Sequence, residues 1–148
     1  EIMTVYKDAA SVQRSEVGDF FQEMAMEEKL HYNWLLWYYK QLRDRRIPEA
    51  NLAEKSLATE GRGSYIKESF VRSVGENLRL ITAVAAAVLL ESESARRYRK
   101  ESENKDVPAL SEFFGVLADW EDRHYRDLLL VQEGADRYWF DSQTFEPL

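Results

Sequence analysis

The chain contains no cysteine. Disulfides, thiolate zinc sites and iron–sulfur clusters are therefore excluded, and a reducing cytoplasm is the expected compartment. Glycine and proline are scarce, six and three in 148 residues, so breaks between elements are few. No apolar run approaches the roughly 18–20 residues of a membrane span. The longest is residues 83–90, so no membrane span is expected, and no signal peptide is visible. A surplus of basic charge is also missing. The net charge of −7 argues against sequence-independent binding of nucleic acid or anionic membrane. Histidine is rarest after cysteine: the chain has two, His31 and His124.

What remains is a soluble, globular balance, 45% hydrophobic and 32% charged, in a length that suits one domain over residues 1–148. Nearly all of it reads as helix. Helix A covers about 1–14 and helix B about 16–43. A polar crossover, about 44–73, follows, with a helical turn in 52–59 and a short helix in 64–70. Helix C covers about 74–103 and helix D about 108–133, where Gly134 is expected to stop it. An aromatic tail, 134–148, is expected to pack on the bundle. Short A–B and C–D links make two antiparallel hairpins. One long B–C link makes the expected fold an all-α, antiparallel four-helix bundle with one long crossover.

Each histidine lies three residues after a glutamate, inside two copies of one pattern. Residues 20–36 and 113–129 align without a gap at an offset of 93. Eight of the 17 positions are identical, among them Glu28 with Glu121, His31 with His124, and Tyr32 with Tyr125. Apolar spacing in helix B gives the seam Phe20, Met24, Glu28, His31, Leu35, Tyr38 and Leu42. In helix D it gives Phe114, Leu117, Glu121, His124, Leu128 and Val131. In helix C it gives Ile81, Val84, Val88, Glu91, Ala95 and Tyr98. Glu and His thus stand at matching depth where a bundle ordinarily places Leu or Val. Residues three apart share a helix face, so each Glu-x-x-His projects as a unit. Glu93 lies about 200° around helix C from Glu91 and is excluded from the seam.

Ionised carboxylates in a core are costly unless paired or bound to metal. Glu28, His31, Glu91, Glu121 and His124 are therefore read as ligands of a dinuclear metal site. Carboxylate and imidazole without thiolate suit two iron ions, and manganese or zinc also fits. Tyr98, one to two turns from Glu91, is a candidate for donating a hydrogen bond or an electron near the site, although a plain core role is the simpler reading. Tyr32 and Tyr125 face about 100° away from the histidines and are read as packing.

The stretch Ala86 to Tyr98, followed by Leu117-Ala118-Asp119-Trp120-Glu121-Asp122-Arg123-His124, resembles the rubrerythrin-type branch of the ferritin-like di-iron superfamily. The resemblance runs from helix A to about Glu133. It implies that Glu28 and Glu121 bridge two irons, with His31, His124 and Glu91 as terminal ligands. It also implies a sixth ligand from helix A. Tyr6 matches Tyr98, so that ligand would fall just before Glu1, while Glu1 matches Glu93 and would point away. Two further departures matter. Without cysteine the chain has no rubredoxin domain, and an external electron donor is needed for redox turnover. Ser94 stands where the family has a second helix C glutamate.

The implied activity is di-iron redox chemistry with O2 or peroxide, or ferrous-iron oxidation, of ferroxidase or peroxidase-like type. The alternative is a non-catalytic metal-binding or iron-handling module with an incomplete site. A third reading is an interaction role. Helix B carries a second apolar stripe, Leu30, Trp34 and Trp37, whose helix D equivalents are Arg123, Asp127 and Leu130. That stripe covers either the crossover or a second subunit, and a homodimer is expected.

Overall fold

A computed structural model describes residues 1–12, 16–46 and 66–142. The described residues form five helices and no strand: α1 (Ile2–Val12), α2 (Glu16–Arg43), α3 (Glu68–Gly75), α4 (Leu78–Ser102) and α5 (Pro108–Ser142). The fold is an all-α helical bundle, as the seam pattern leads one to expect. The helical turn expected in 52–59 and residues 143–148 of the tail lie outside the described residues.

The ends of these helices follow local chemistry. Glu16 and Asp19 open α2 and Lys40 and Arg43 close it, each matching the helix dipole. Beyond it, Arg45 takes a left-handed φ of 56°, a role glycine usually fills. The Asn77 side chain caps α4, accepting from the backbone N–H of Arg79 at 3.0 Å and of Leu80 at 3.4 Å. Pro108 occupies the first position of α5, where its missing N–H costs nothing.

Two expectations are corrected. Helix C does not begin near 74. The short helix ends at Gly75, and the axis turns by 104° before α4 begins at Leu78. Helix D does not stop at Gly134 but continues to Ser142. Gly134 serves a close approach instead: a Cβ there would overlap Val71 Cγ1 of α3. The described part of the aromatic tail is thus helical. The Tyr138 hydroxyl donates to Glu76 Oε1 at 2.8 Å, whereas Trp139 and Phe140 are exposed rather than packed.

Within the bundle, α1 packs on α2 and α4, and α4 packs along α5. Between α2 and α5 the backbones stand farther apart, and rings span the gap. The Tyr38–Phe113 centroids are 4.1 Å apart, Trp34–Trp120 4.4 Å and His31–Trp120 4.6 Å. Apolar side chains gather in two clusters. The larger includes Phe20, Phe21, Met24, Val84, Leu128 and Val131; the smaller is built on Tyr38, Phe113, Leu117 and Trp120. The Glu and His seam positions form a polar layer between the two. Four seam assignments shift: Leu80, Ala87 and Phe113 are buried in place of the half-buried Ile81, Val88 and Phe114, and Leu42 is exposed. No single described helix is long and apolar enough to cross a membrane. The bent pair α3–α4 is apolar enough together, but its Phe70, Val74, Leu80, Val84 and Ala87 are buried in the core.

Candidate metal centre

Helix periodicity alone puts four ligand-type side chains into the middle of the bundle. On α2, Glu28 and His31 face inward from one turn; on α5, Glu121 and His124 do the same. One ligand atom from each of the four lies within 4.8 Å of the others. Glu91 joins them from α4. Its carboxylate is fully buried, with Oε1 3.2 Å from His124 Nδ1. All five residues read from the sequence as ligands therefore converge.

Glu28 stands between the imidazoles. Its Oε1 is 3.1 Å from His31 Nδ1 and 3.2 Å from His124 Nδ1. Glu121 Oε1 is 3.3 Å from His31 Nδ1. These approaches are close but not aligned as hydrogen bonds. Among the described residues, Glu28 Oε1, Glu91 Oε2, Glu121 Oε2 and both Nδ1 atoms are buried without a hydrogen-bond partner. Buried polar atoms are ordinarily paired. Five orphaned acceptors and ring nitrogens aimed at one another fit a shared cation, and the set of oxygen and imidazole donors suits iron or manganese.

Electrostatics point the same way. Burial pulls the His31 imidazole down, but Glu121 and Glu28 outweigh it and lift it to about 9. His124 is raised further by Glu27, Glu28 and Glu91 against its own burial. Burial pushes the Glu28 carboxyl up, and the two imidazoles overcome this and hold it low. At Glu91 burial prevails and lifts the carboxyl, with Glu121 adding to it and His124 opposing. Without metal the cluster is thus held together by protons on the imidazoles and on Glu91. A divalent ion held by these residues would take the place of those protons.

Two partners escaped the sequence reading. The Tyr6 hydroxyl, from α1, donates to Glu91 Oε1 in a short hydrogen bond, and the Tyr6 ring is fully buried. Burial and the neighbouring Glu91 raise the phenol, so it stays a donor. The match of Tyr6 with Tyr98 was the available signal; it marked equivalent places on helices A and C. The second partner is Glu27, whose Oε2 lies 2.7 Å from His124 Nε2. A carboxylate on the outer nitrogen of a ligating imidazole fixes its tautomer and raises its basicity.

Tyr98 itself is half-buried, stacked on Phe114 at 5.9 Å. Burial, with Glu121 and Glu28, pushes its phenol up to about 12. It lines a cleft of about 420 Å3 whose wall also holds Glu1, Glu28, His31 and Glu121. Glu1 and Glu93 both lie along this cleft, and Glu93 is engaged by Arg96 at 2.6 Å. Tyr32 is exposed on the same rim and is not a packing residue.

A helical bundle with Glu-x-x-His from two helices and a further glutamate from a third defines the ferritin-like, carboxylate-rich class. The rubrerythrin family model matches residues 2–131, and the chain belongs to the rubrerythrin family. No curated protein and no solved structure gives a match. The cluster of Glu28, His31, Glu121 and His124 could hold a metal ion.

Proposed function

We propose that this chain is a non-haem di-iron protein whose metal ligands are Glu28, His31, Glu91, Glu121 and His124. The observation that carries this reading is the set of buried, orphaned donor atoms facing one another at the centre of the bundle. Two irons held by these residues would supply two-electron chemistry toward O2 or peroxide, or the oxidation of ferrous iron. The protein's own part is to position the ligands and to exclude water. Glu28 serves both imidazoles, Tyr6 holds Glu91 with a hydrogen bond, and the aromatic cluster above the layer keeps it dry. The half-buried Tyr98 hydroxyl is protonated at neutral pH and lines the entrance. The centre would take electrons from a donor outside this bundle, and the proposed setting is the cytoplasm.

Anaerobic titration with ferrous iron, followed by exposure to air, tests this directly. Two irons per chain, oxidised within seconds, are expected. One ion per chain, or two that oxidise only over hours, would instead favour the iron-handling module without catalysis.

We further propose that the chain forms a homodimer through α2. Leu30 and Trp37 are 52% and 42% exposed on α2, while Trp34 between them packs on Trp120 within the chain. Light scattering on a variant with Leu30→Gln and Trp37→Gln is expected to give a monomer. An unchanged dimer would rule that stripe out as the interface.

A further inference from the structure

The repeat that builds the centre is broken at one position. At the offset of 93, Glu28 corresponds to Glu121 and His31 to His124, so Glu27 corresponds to Trp120. Each of these two residues is set against the imidazole of the opposite helix. Glu27, on α2, meets His124 Nε2 at 2.7 Å. Trp120, on α5, stacks on His31 with centroids 4.6 Å apart and planes 22° apart. One histidine thus has an anion on its outer nitrogen. The other has an indole, which carries a donor and no acceptor. Both ion contacts of His31, with Glu28 and Glu121, are made at Nδ1.

The inner sides differ too. His124 Nδ1 faces Glu28 and the fully buried Glu91, which Tyr6 holds in place. His31 Nδ1 faces Glu28 and Glu121. Two openings reach the layer, and they meet the imidazoles unequally. The cleft of about 420 Å3 has Glu28, His31 and Glu121 in its wall, and a smaller one of about 250 Å3 is lined by both imidazoles with Glu27 and Trp120, so His31 meets both openings and His124 one.

From this broken symmetry we propose that the two metal positions are unequal: a tight one at His124, and an exchangeable one at His31 through which divalent ions enter and leave by the cleft. The proposal rests on the di-metal reading of the centre and goes beyond it. An imidazole that donates to a carboxylate is the stronger ligand, and losing such a partner ordinarily costs about 10–100-fold in metal affinity. Glu27 is therefore a positioning residue acting through His124, and Trp120 withholds that help from His31.

Stepwise binding of Zn2+ by calorimetry, and of Co2+ by visible absorption, tests this on the metal-free chain. The first ion should bind at least about tenfold more tightly than the second. Glu27→Gln should weaken the first step by about 10–100-fold and leave the second within about threefold. Trp120→Glu should strengthen the second step by a similar factor. Should Glu27→Gln fail to fold, as judged by circular dichroism, Trp120→Glu decides alone. Two equal steps in the parent chain would overturn the inequality while leaving the dinuclear centre intact. So would equal weakening of both steps by Glu27→Gln, or no effect of Trp120→Glu. Binding of fewer than two ions per chain would overturn the dinuclear centre itself.

Discussion

Raising the pH should destabilise the metal-free protein. His31 is lifted from 6.5 to about 9, chiefly against its own burial, by Glu121 and Glu28. A group whose folded pKa is raised contributes stability that is complete below its unfolded value and is lost as pH passes the folded one. The window for His31 therefore runs from about pH 6.5 to 9. At 1.36 kcal/mol per unit, a rise of about 2.5 units corresponds to about 3 kcal/mol. His124 is raised too and prolongs the decline, and Glu91, also raised, adds to it from its ordinary value upward. Glu28 acts oppositely, because its depressed carboxyl costs stability only as the solution becomes acidic. For a chain of this size about 3 kcal/mol is roughly 10 °C in Tm. Urea and thermal melts of chelator-treated protein at pH 6, 7.5 and 9, followed by circular dichroism, measure it. With Zn2+ present the trend should reverse, because protons compete with the metal for the same nitrogens and fade as pH rises. A metal-free protein with flat or rising stability from pH 6.5 to 9 would refute the protonated cluster.

Three further outcomes are expected. Glu28→Ala removes the carboxylate that serves both imidazoles, and His124→Ala removes one ring. Either should lower metal content, measured by atomic emission, from two ions per chain to at most one; retention of both would show that the ligands are misassigned. Tyr6→Phe deletes the donor to buried Glu91 and should cost the metal-free protein about 1–3 kcal/mol in a urea melt, so an unchanged midpoint would dismiss that bond. Gly134→Ala should lower Tm. Crowding against Val71 costs about 1–3 kcal/mol, more than the about 1 kcal/mol of helix propensity gained, and a higher Tm would refute the close approach.

The convergence of the candidate ligands was legible because a helix writes its inward face into the spacing of its own residues. Glu28 with His31, and Glu121 with His124, needed no knowledge of any neighbour. Tyr6 with Glu91 and Glu27 with His124 are different. Each joins two helices 85 and 97 residues apart, and only the relative rotation and height of those helices bring them together. Spacing along one helix carries no such information. The seam shifted from Ile81 to Leu80 and from Phe114 to Phe113 because a straight helix turns 3.6 residues per revolution and drifts from an alternating four–three count. Gly134 misled for a related reason. A glycine that makes room for Val71 looks, in sequence, like one that ends a helix.

The wide spacing between α2 and α5 has a consequence for the order of assembly. Each hairpin, α1 with α2 and α4 with α5, closes through contacts near in sequence, which form early. The remaining side of the bundle is closed by rings and carboxylates that reach across from opposite halves. Nothing there locks until both halves have arrived, and four of its closing groups, Glu28, His31, Glu121 and His124, are the ones that could hold a metal ion. An ion that fastens this side late in folding would slow its reopening more than it speeds its closing, so the metal would set the lifetime of the fold rather than the rate of reaching it.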